Sequence, residues 1–368
     1  MLVKHYYLNN KIELQQKWAK LYACSNRNVF LDWRWMDAWL KTVPINPIIL
    51  EATYQEKCVG LGLICSKTQR ICFGLMSIKQ LWLHKCGNEK LDQMWIEHSD
   101  FLLHSQYEDE VRVALAKHIK DKLEKWHEFY LGMSSRKLVR KFESVLGEPR
   151  VVITAPDFEV DLHNIDNIES YLGLLSKNTR SQIVRSKKLL SKEGDINLRL
   201  AQTEQDKKIF FKELCKLHQK KWRQTTTGSG FDNTVFVEFH KQIIFGDIDN
   251  CYTGIYSLEI SGKPLAFIYL LKNNHSWYFY LSGMETHSDN KIKIGLVAHT
   301  LLIQLALSNG IKTYSFLAGD ARYKKSMSNN SDSIQELVCF LKPSKLNHFL
   351  QKLRYLKSLL PLQHINRE

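Results

Sequence analysis

Between residues 251 and 324 the apolar positions fall into three short runs, a long helix and one further run. Residues 252–260, 265–271 and 276–282 predict strands, joined by the turns Ser261-Gly262-Lys263-Pro264 and Asn273-Asn274. The middle run, Leu265-Ala266-Phe267-Ile268-Tyr269-Leu270-Leu271, is apolar on both faces and belongs at the centre of a sheet covered on both sides. Lys291-Ile292-Lys293-Ile294-Gly295 then leads into a helix reaching about residue 309 and capped by Gly310. Its polar positions are His299, Thr300, Gln304 and Ser308, so most of its surface is packed. Residues 312–317 predict a buried strand, which the chain leaves through Ala318-Gly319-Asp320-Ala321-Arg322-Tyr323-Lys324.

The first half carries a similar alternation. A helix over residues 30–40 ends before Pro44, with Trp35 and Trp39 one turn apart on a shared face. That face fits either core packing or the aromatic wall of a ligand groove. Strands are expected at 48–54, 60–66 and 71–78, followed by a helix over 108–126 with Val111, Leu115, Ile119 and Leu123 at four-residue intervals and a strand at 128–133. The unit closes by about residue 157. A second begins at residue 158 and runs to 343, with a basic amphipathic helix and tail over 344–368. In it, residues 177–188 combine Lys177, Arg180, Arg185, Lys187 and Lys188 with no acidic residue, above an apolar stripe of Ile183, Val184, Leu189 and Leu190. A strand at 197–201, a helix at 204–223, a Gly-Ser-Gly loop and a helix reaching about residue 244 complete the approach to the hairpins.

Length changes this picture little: 368 residues, 44% hydrophobic, suit two packed cores. Charge changes it more. A net charge of +14 favours an anionic partner: a phosphorylated cofactor, an acidic membrane surface or nucleic acid. The eight cysteines have no C-x-x-C pair and no metal-ligand spacing with histidine, so reduced thiols and no metal are expected. No run of about 18 apolar residues and no secretory leader is present, which predicts a cytoplasmic chain. Residues 345–360 place Leu346, Phe349, Leu350, Leu353, Leu356 and Leu360 on one broad face flanked by Lys352, Arg354 and Lys357. Such a helix either docks back on its domain or lies on the inner face of an anionic membrane.

The start of the helix at Gly295 is a candidate anion site, because a helix N-terminus gathers unpaired amides and Lys291 and Lys293 stand just upstream. His218 and Trp222, one turn apart on a lysine-rich helix, fit the lining of an acceptor groove.

The phrases Gly262-Lys263-Pro264-Leu265-Ala266, Tyr278-Phe279-Tyr280-Leu281-Ser282-Gly283 and Phe316-Leu317-Ala318-Gly319-Asp320 through Tyr323-Lys324 resemble the C-terminal repeat of the CelD/BcsL-type (BioF2-like) acetyltransferases, of the GNAT superfamily. Residues 30–39 and 176–185 are similar to that family's opening aromatic helix and its basic helix. Where many relatives have Pro-Gly before the long helix, this chain has Ile294-Gly295. The Fem peptidyltransferases share the tandem architecture that the resemblance implies: an α/β chain of two GNAT-like domains with mixed sheets.

The resemblance also implies a chemistry, direct attack of an amine or hydroxyl on the thioester of acetyl-CoA or another acyl-CoA. Tyr280, Leu281, Ser282, Gly283, Lys291, Lys293, Gly295 and Leu296 would then hold the cofactor. Asp320 would be the base, with His299 and His218 as alternatives, and Tyr323 would protonate the leaving thiolate. His218, Trp222, Arg180, Lys324 and Trp35 would meet the acceptor, an envelope or polysaccharide precursor. Two other readings stay open: an aminoacyl-tRNA-dependent Fem-like transferase, and a non-catalytic binder of an anionic polymer or membrane. The 177–188 helix has no aromatic residue for base stacking, which disfavours nucleic acid.

Overall fold

The computed structural model describes residues 1–71, 74–223, 225 and 228–343, and the helix expected at 345–360 lies outside them. The first half runs β1 (Leu2–Tyr7), α1 (Lys11–Ala23), α2 (Trp33–Thr42), β2 (Ile48–Tyr54), β3 (Lys57–Ile71), β4 (Met76–Leu83), β5 (Leu102–Leu103), α3 (Glu108–Lys122), β6 (Glu128–Ser135), α4 (Arg136–Leu146) and β7 (Arg150–Asp161). After α5 (Ile168–Leu174) and α6 (Lys177–Glu193), the same order returns: β8 (Ile196–Leu200), α7 (Glu204–Trp222), α8 (Thr234–Gly246), β9 (Thr253–Ile260), β10 (Lys263–Lys272), β11 (Ser276–Met284), α9 (Ile294–Ser308), β12 (Thr313–Ala318), α10 (Arg322–Met327) and β13 (Asn330–Leu341).

All strands join one sheet in the order β1-β2-β3-β4-β6-β13-β7-β12-β11-β10-β9-β8, with β5 attached to β3. The two halves interlock at its centre. The last strand of the first half, β7, pairs with β12, while the last strand of the second half, β13, pairs with β6, and β7 and β13 pair with each other. Residue 157, the expected end of the first unit, lies inside β7 and faces Ala318 and Ser333 across the sheet.

The period-two pattern of β10 explains how the sheet is covered. Phe267, Tyr269 and Leu271 enter a core built with α1, α2, α7 and α8, and Ala266, Ile268 and Leu270 enter another with α5, α6 and α9. The first core crosses between halves: α2 packs on α8, with the Trp35 and Phe239 rings 4.8 Å apart. Side-chain caps fix the helix starts, including Asp32 for α2, Ser176 for α6 and a Thr203/Asp206 capping box for α7. Among the described residues, no helix is long and apolar enough to cross a membrane.

Candidate functional site

In each half one pair of neighbouring strands is parallel and only briefly joined. β11 meets β12 over Ser276–Tyr278 and Thr313–Ser315, and beyond Tyr278 the two part. β4 and β6 likewise meet over Gln80–Trp82 and Glu128–Tyr130. The helix that follows each gap differs between the halves. α3 opens with Glu108, Asp109 and Glu110, whose charges already answer its positive end and repel an anion. α9 opens with no acidic residue and no side-chain cap, and Lys293 stands at its cap position. Ser186 of α6 fixes that lead-in, its Oγ donating to the Lys291 carbonyl at 3.2 Å and accepting from the Lys293 amide at 3.0 Å. Of these two helices, only α9 starts without an acidic residue in its first turn.

A groove of about 740 Å³ opens at this point, lined among others by Lys220, Lys221, Met284, Lys293, Gly295 and His299. A cleft of about 740 Å³ lies beside it, walled by Gln93, Trp95 and Glu97 of the first half and by His218, Trp222, Tyr280, Asp320 and Lys324 of the second. Lys221, Ser282 and Tyr323 line both, so the two spaces adjoin at the parted strands.

Residues 177–325 match the family described as "Acetyltransferase (GNAT) domain". The fold is a tandem GNAT fold. The crystal structure of FemX superposes with a TM-score of 0.59 at 9% identity, covering 95% of this chain and 99% of that one. The structure of L-PGS from Bacillus licheniformis gives 0.50 at 11% identity over 93% and 95% of the two chains. A tandem GNAT protein from the clavulanic acid biosynthesis pathway, solved without AcCoA, gives 0.50 at 9% identity over 93% and 99%. At such identities the likeness is one of fold. No curated protein sequence matches this chain.

Within the GNAT fold the sequence-predicted residues separate into three groups. Gly295, Leu296, Lys293 and His299 line the groove, Tyr280, Leu281, His218, Trp222, Asp320 and Lys324 line the cleft, and Ser282 and Tyr323 line both. Lys291 is exposed and contributes its carbonyl to Ser186. Three others lie elsewhere. Trp35 is 2% exposed in the shared core and lines neither space. Arg180 turns its guanidinium to the carbonyls of Leu172 and Gly173 at the end of α5. Gly283 is buried under α7, where a Cβ would meet the Leu214 carbonyl oxygen at 2.6 Å.

The environments of the titratable members differ. His299 is fully enclosed, accepts or donates at Nδ1 with the Tyr314 hydroxyl at 2.9 Å and stacks on Tyr323 at 5.8 Å; burial pushes it down to about 3. It is neutral, and its Nε2 has no partner. His218 pairs with Ser229 Oγ at 2.8 Å and stacks on Trp222, and burial, aided by Lys221, holds it near 4. Burial raises the Tyr323 phenol well above its ordinary value, keeping it protonated at neutral pH. Asp320 is exposed at the rim.

One group in the cleft carried no signal in the sequence. Glu97, in the segment after β4, is 5% exposed; its Oε2 accepts from the Ala318 amide at 2.7 Å. Burial, reinforced by Asp157, lifts its carboxyl to about 7. Behind it, Gln335 of β13 donates Nε2 to Asp157 Oδ2 at 2.8 Å and lies 3.4 Å from Glu97 Oε2, while its Oε1 accepts from the His98 amide at 3.3 Å. Glu97, His98 and Asp157 bring ligand-type atoms within 4.8 Å of one another, but an amide N–H₂ is the group directed at their carboxylates, in the place a cation would take. The arrangement depends on β13 and β7, both unrecognised in the sequence and both exchanged between the halves.

Proposed function

We propose that the chain is an acyl-CoA-dependent acyltransferase, of the CelD/BcsL type, acting on an amine or hydroxyl of a cell-envelope or polysaccharide precursor. The observation that carries this reading is the adjacency of two spaces at the parted strands, one ending on a basic, uncapped helix start and the other a largely aromatic cleft that holds Glu97, Asp320 and Lys324. The groove suits a donor whose diphosphate rests on the first turn of α9, beside Lys293 and Lys221, with its pantetheine arm passing between β11 and β12. The thioester carbonyl then reaches the β11 backbone near Leu281 and Ser282, where an amide N–H receives the developing oxyanion. The acceptor enters from the cleft, attacks the carbonyl carbon, and the C–S bond breaks. Tyr323, protonated and shared by both spaces, supplies the proton that the thiolate takes. Lys324, whose Nζ donates to the Leu317 and Ala318 carbonyls at 3.3 and 2.8 Å, holds the turn against which the acceptor sits.

A second reading has its own support. Between α7 and α8 lies a groove of about 720 Å³ with Lys208, Lys212, Lys216, Arg223 and Lys241 around an apolar floor of Phe211, Val237 and Phe245. Such a groove suits a polyanion, and an aminoacyl-tRNA donor would bring one. The two readings separate in one experiment. Acetyl-CoA raises the thermal midpoint and is consumed with an envelope extract if the first holds. If tRNA binds instead, with affinity falling steeply as salt rises, and acetyl-CoA has no effect, the second replaces it.

A further inference from the structure

We infer that Glu97, contributed by the first half to a cleft that both halves wall, is the catalytic base that takes the proton of the attacking acceptor. The inference rests on the acyl-transfer reading above and adds to it the group that completes the reaction.

Two carboxylates line the cleft among the described residues, Glu97 and Asp320. Asp320 is exposed, and among the described residues none hydrogen-bonds its carboxylate. Glu97 is held. The Ala318 amide fixes Oε2, and Gln335 stands behind, leaving Oε1 without a partner among the described residues, in a side chain that lines the cleft. The Ala318 amide that grips Glu97 lies on the same turn, Leu317 to Lys324, that forms the cleft wall. Leu317 on that turn has φ 61°, a strained conformation for a non-glycine residue, and its amide donates to Ser315 Oγ. A base needs both a defined direction and a proton affinity near the working pH, and Glu97 has each.

The groups facing Glu97 come from β7, α10, β11, β13 and its own segment. Asp157 of β7 raises its proton affinity and Lys324 of α10 lowers it, while Tyr280 of β11 and His98 beside it complete the surroundings. Asp157 and Gln335 come from the strands that the halves exchange, so the base is assembled only when the halves are interlocked. In the step itself the acceptor's N–H or O–H proton passes to Glu97 as the nucleophile bonds to the carbonyl carbon. The C–S bond then breaks, Tyr323 protonates the thiolate, and the proton on Glu97 returns to Tyr323 through water. The net reaction converts thioester and acceptor into acylated acceptor and free thiol.

The test uses the full chain and its Glu97→Gln variant, in which the side-chain oxygen can still accept from Ala318. Thiol release from acetyl-CoA, with glucosamine as acceptor, is measured from pH 5 to 9, beside thermal midpoints over the same range. The wild-type rate should rise through a limb near pH 7. In Glu97→Gln, kcat should fall at least 10²-fold and that limb should vanish, with the KM for acetyl-CoA unchanged. Asp320→Asn should keep the limb. Because the folded chain favours the protonated form of Glu97, its stabilisation is full below about pH 4.5 and is lost as pH rises toward 7. The midpoint of Glu97→Gln should therefore gain on wild type by several degrees between pH 5 and 8. If the limb persists in Glu97→Gln while wild type turns over, the proton goes elsewhere and this inference alone falls. If wild type neither binds nor consumes acetyl-CoA, the donor reading falls and the base falls with it.

Discussion

Exchanging one hydrogen for a methyl at residue 283 should unsettle the site through a helix. A Cβ at Gly283 would lie 2.6 Å from the Leu214 carbonyl oxygen, 2.8 Å from Leu217 Cβ and 3.2 Å from the His218 amide nitrogen. Two of these obstacles are backbone of α7, which cannot turn aside as a flexible side chain could. The helix must therefore lift from β11, carrying His218, Lys220, Lys221 and Trp222 with it. Overpacking of this kind costs about 1–3 kcal/mol. At about 2 °C per kcal/mol for a chain of this size, Gly283→Ala should lower the midpoint by roughly 2–6 °C. Gly173 in α5 provides the opposite case: an added Cβ there meets nothing within 4 Å. Gly173→Ala should stabilise by about 0.5–1 kcal/mol, through helix propensity alone. Differential scanning calorimetry of both variants, with acetyl-CoA titrations, gives the comparison. Gly283→Ala should be destabilised and bind donor more weakly, and Gly173→Ala should be stabilised and bind normally. Equal midpoints for Gly283→Ala and wild type would refute the close approach of α7 to β11 and the transmission argued from it.

Other consequences follow from burial and charge. His84, His240 and His299 are each driven to about 3 by burial, so they stay neutral in the folded chain, while their unfolded counterparts protonate near pH 6.5. Their contribution is complete above pH 6.5 and shrinks as pH falls toward 3, by about 2 kcal/mol each at pH 5, roughly 6 kcal/mol together. Glu97 works the other way over this range, so urea unfolding of Glu97→Gln at pH 7 and 5 should show that loss, and equal midpoints would contradict it. Tyr323→Phe should cut turnover about 10²-fold without weakening donor binding, as stopped-time assays and calorimetry would show. Lys324→Met should cost about 2 kcal/mol, because the Leu317 and Ala318 carbonyls lose a charged donor, and this is readable by chemical unfolding.

The second half was legible because its pattern is strong. β9, β10 and β11 are apolar runs closed by turn residues, and α9 is apolar enough to be read as buried from composition. α1 was missed: it buries only Leu14, Trp18 and Leu21 among charged neighbours, so its stripe is faint. β13 was missed for a different reason. Its first residues, Asn330 to Glu336, are polar or charged with the one exception of Ile334, and they form a strand because β6 and β7 flank it on both sides. A neighbour-dependent strand of this kind has no local signature, and it carries Gln335. Glu97 was hidden likewise, since nothing in Trp95-Ile96-Glu97-His98 says that a turn more than 200 residues away donates an amide to it. Trp35 illustrates the reverse: its pattern fitted a groove wall as well as a core, and α8 makes it core.

The claim on which the proposed function depends is that the donor's diphosphate sits on the first turn of α9, and Gly295→Asp tests it most directly. A Cβ at Gly295 meets only Met284 Sδ at 3.2 Å and Cε at 3.5 Å, both on a flexible side chain. An acidic residue in a helix's first turn stabilises it by about 0.3–1 kcal/mol while repelling an incoming phosphate. Isothermal calorimetry with acetyl-CoA should show heat with wild type and at least tenfold weaker binding with Gly295→Asp, whose unliganded midpoint should be equal or higher. Undiminished acetyl-CoA binding by Gly295→Asp, or no heat with wild type, would contradict the account.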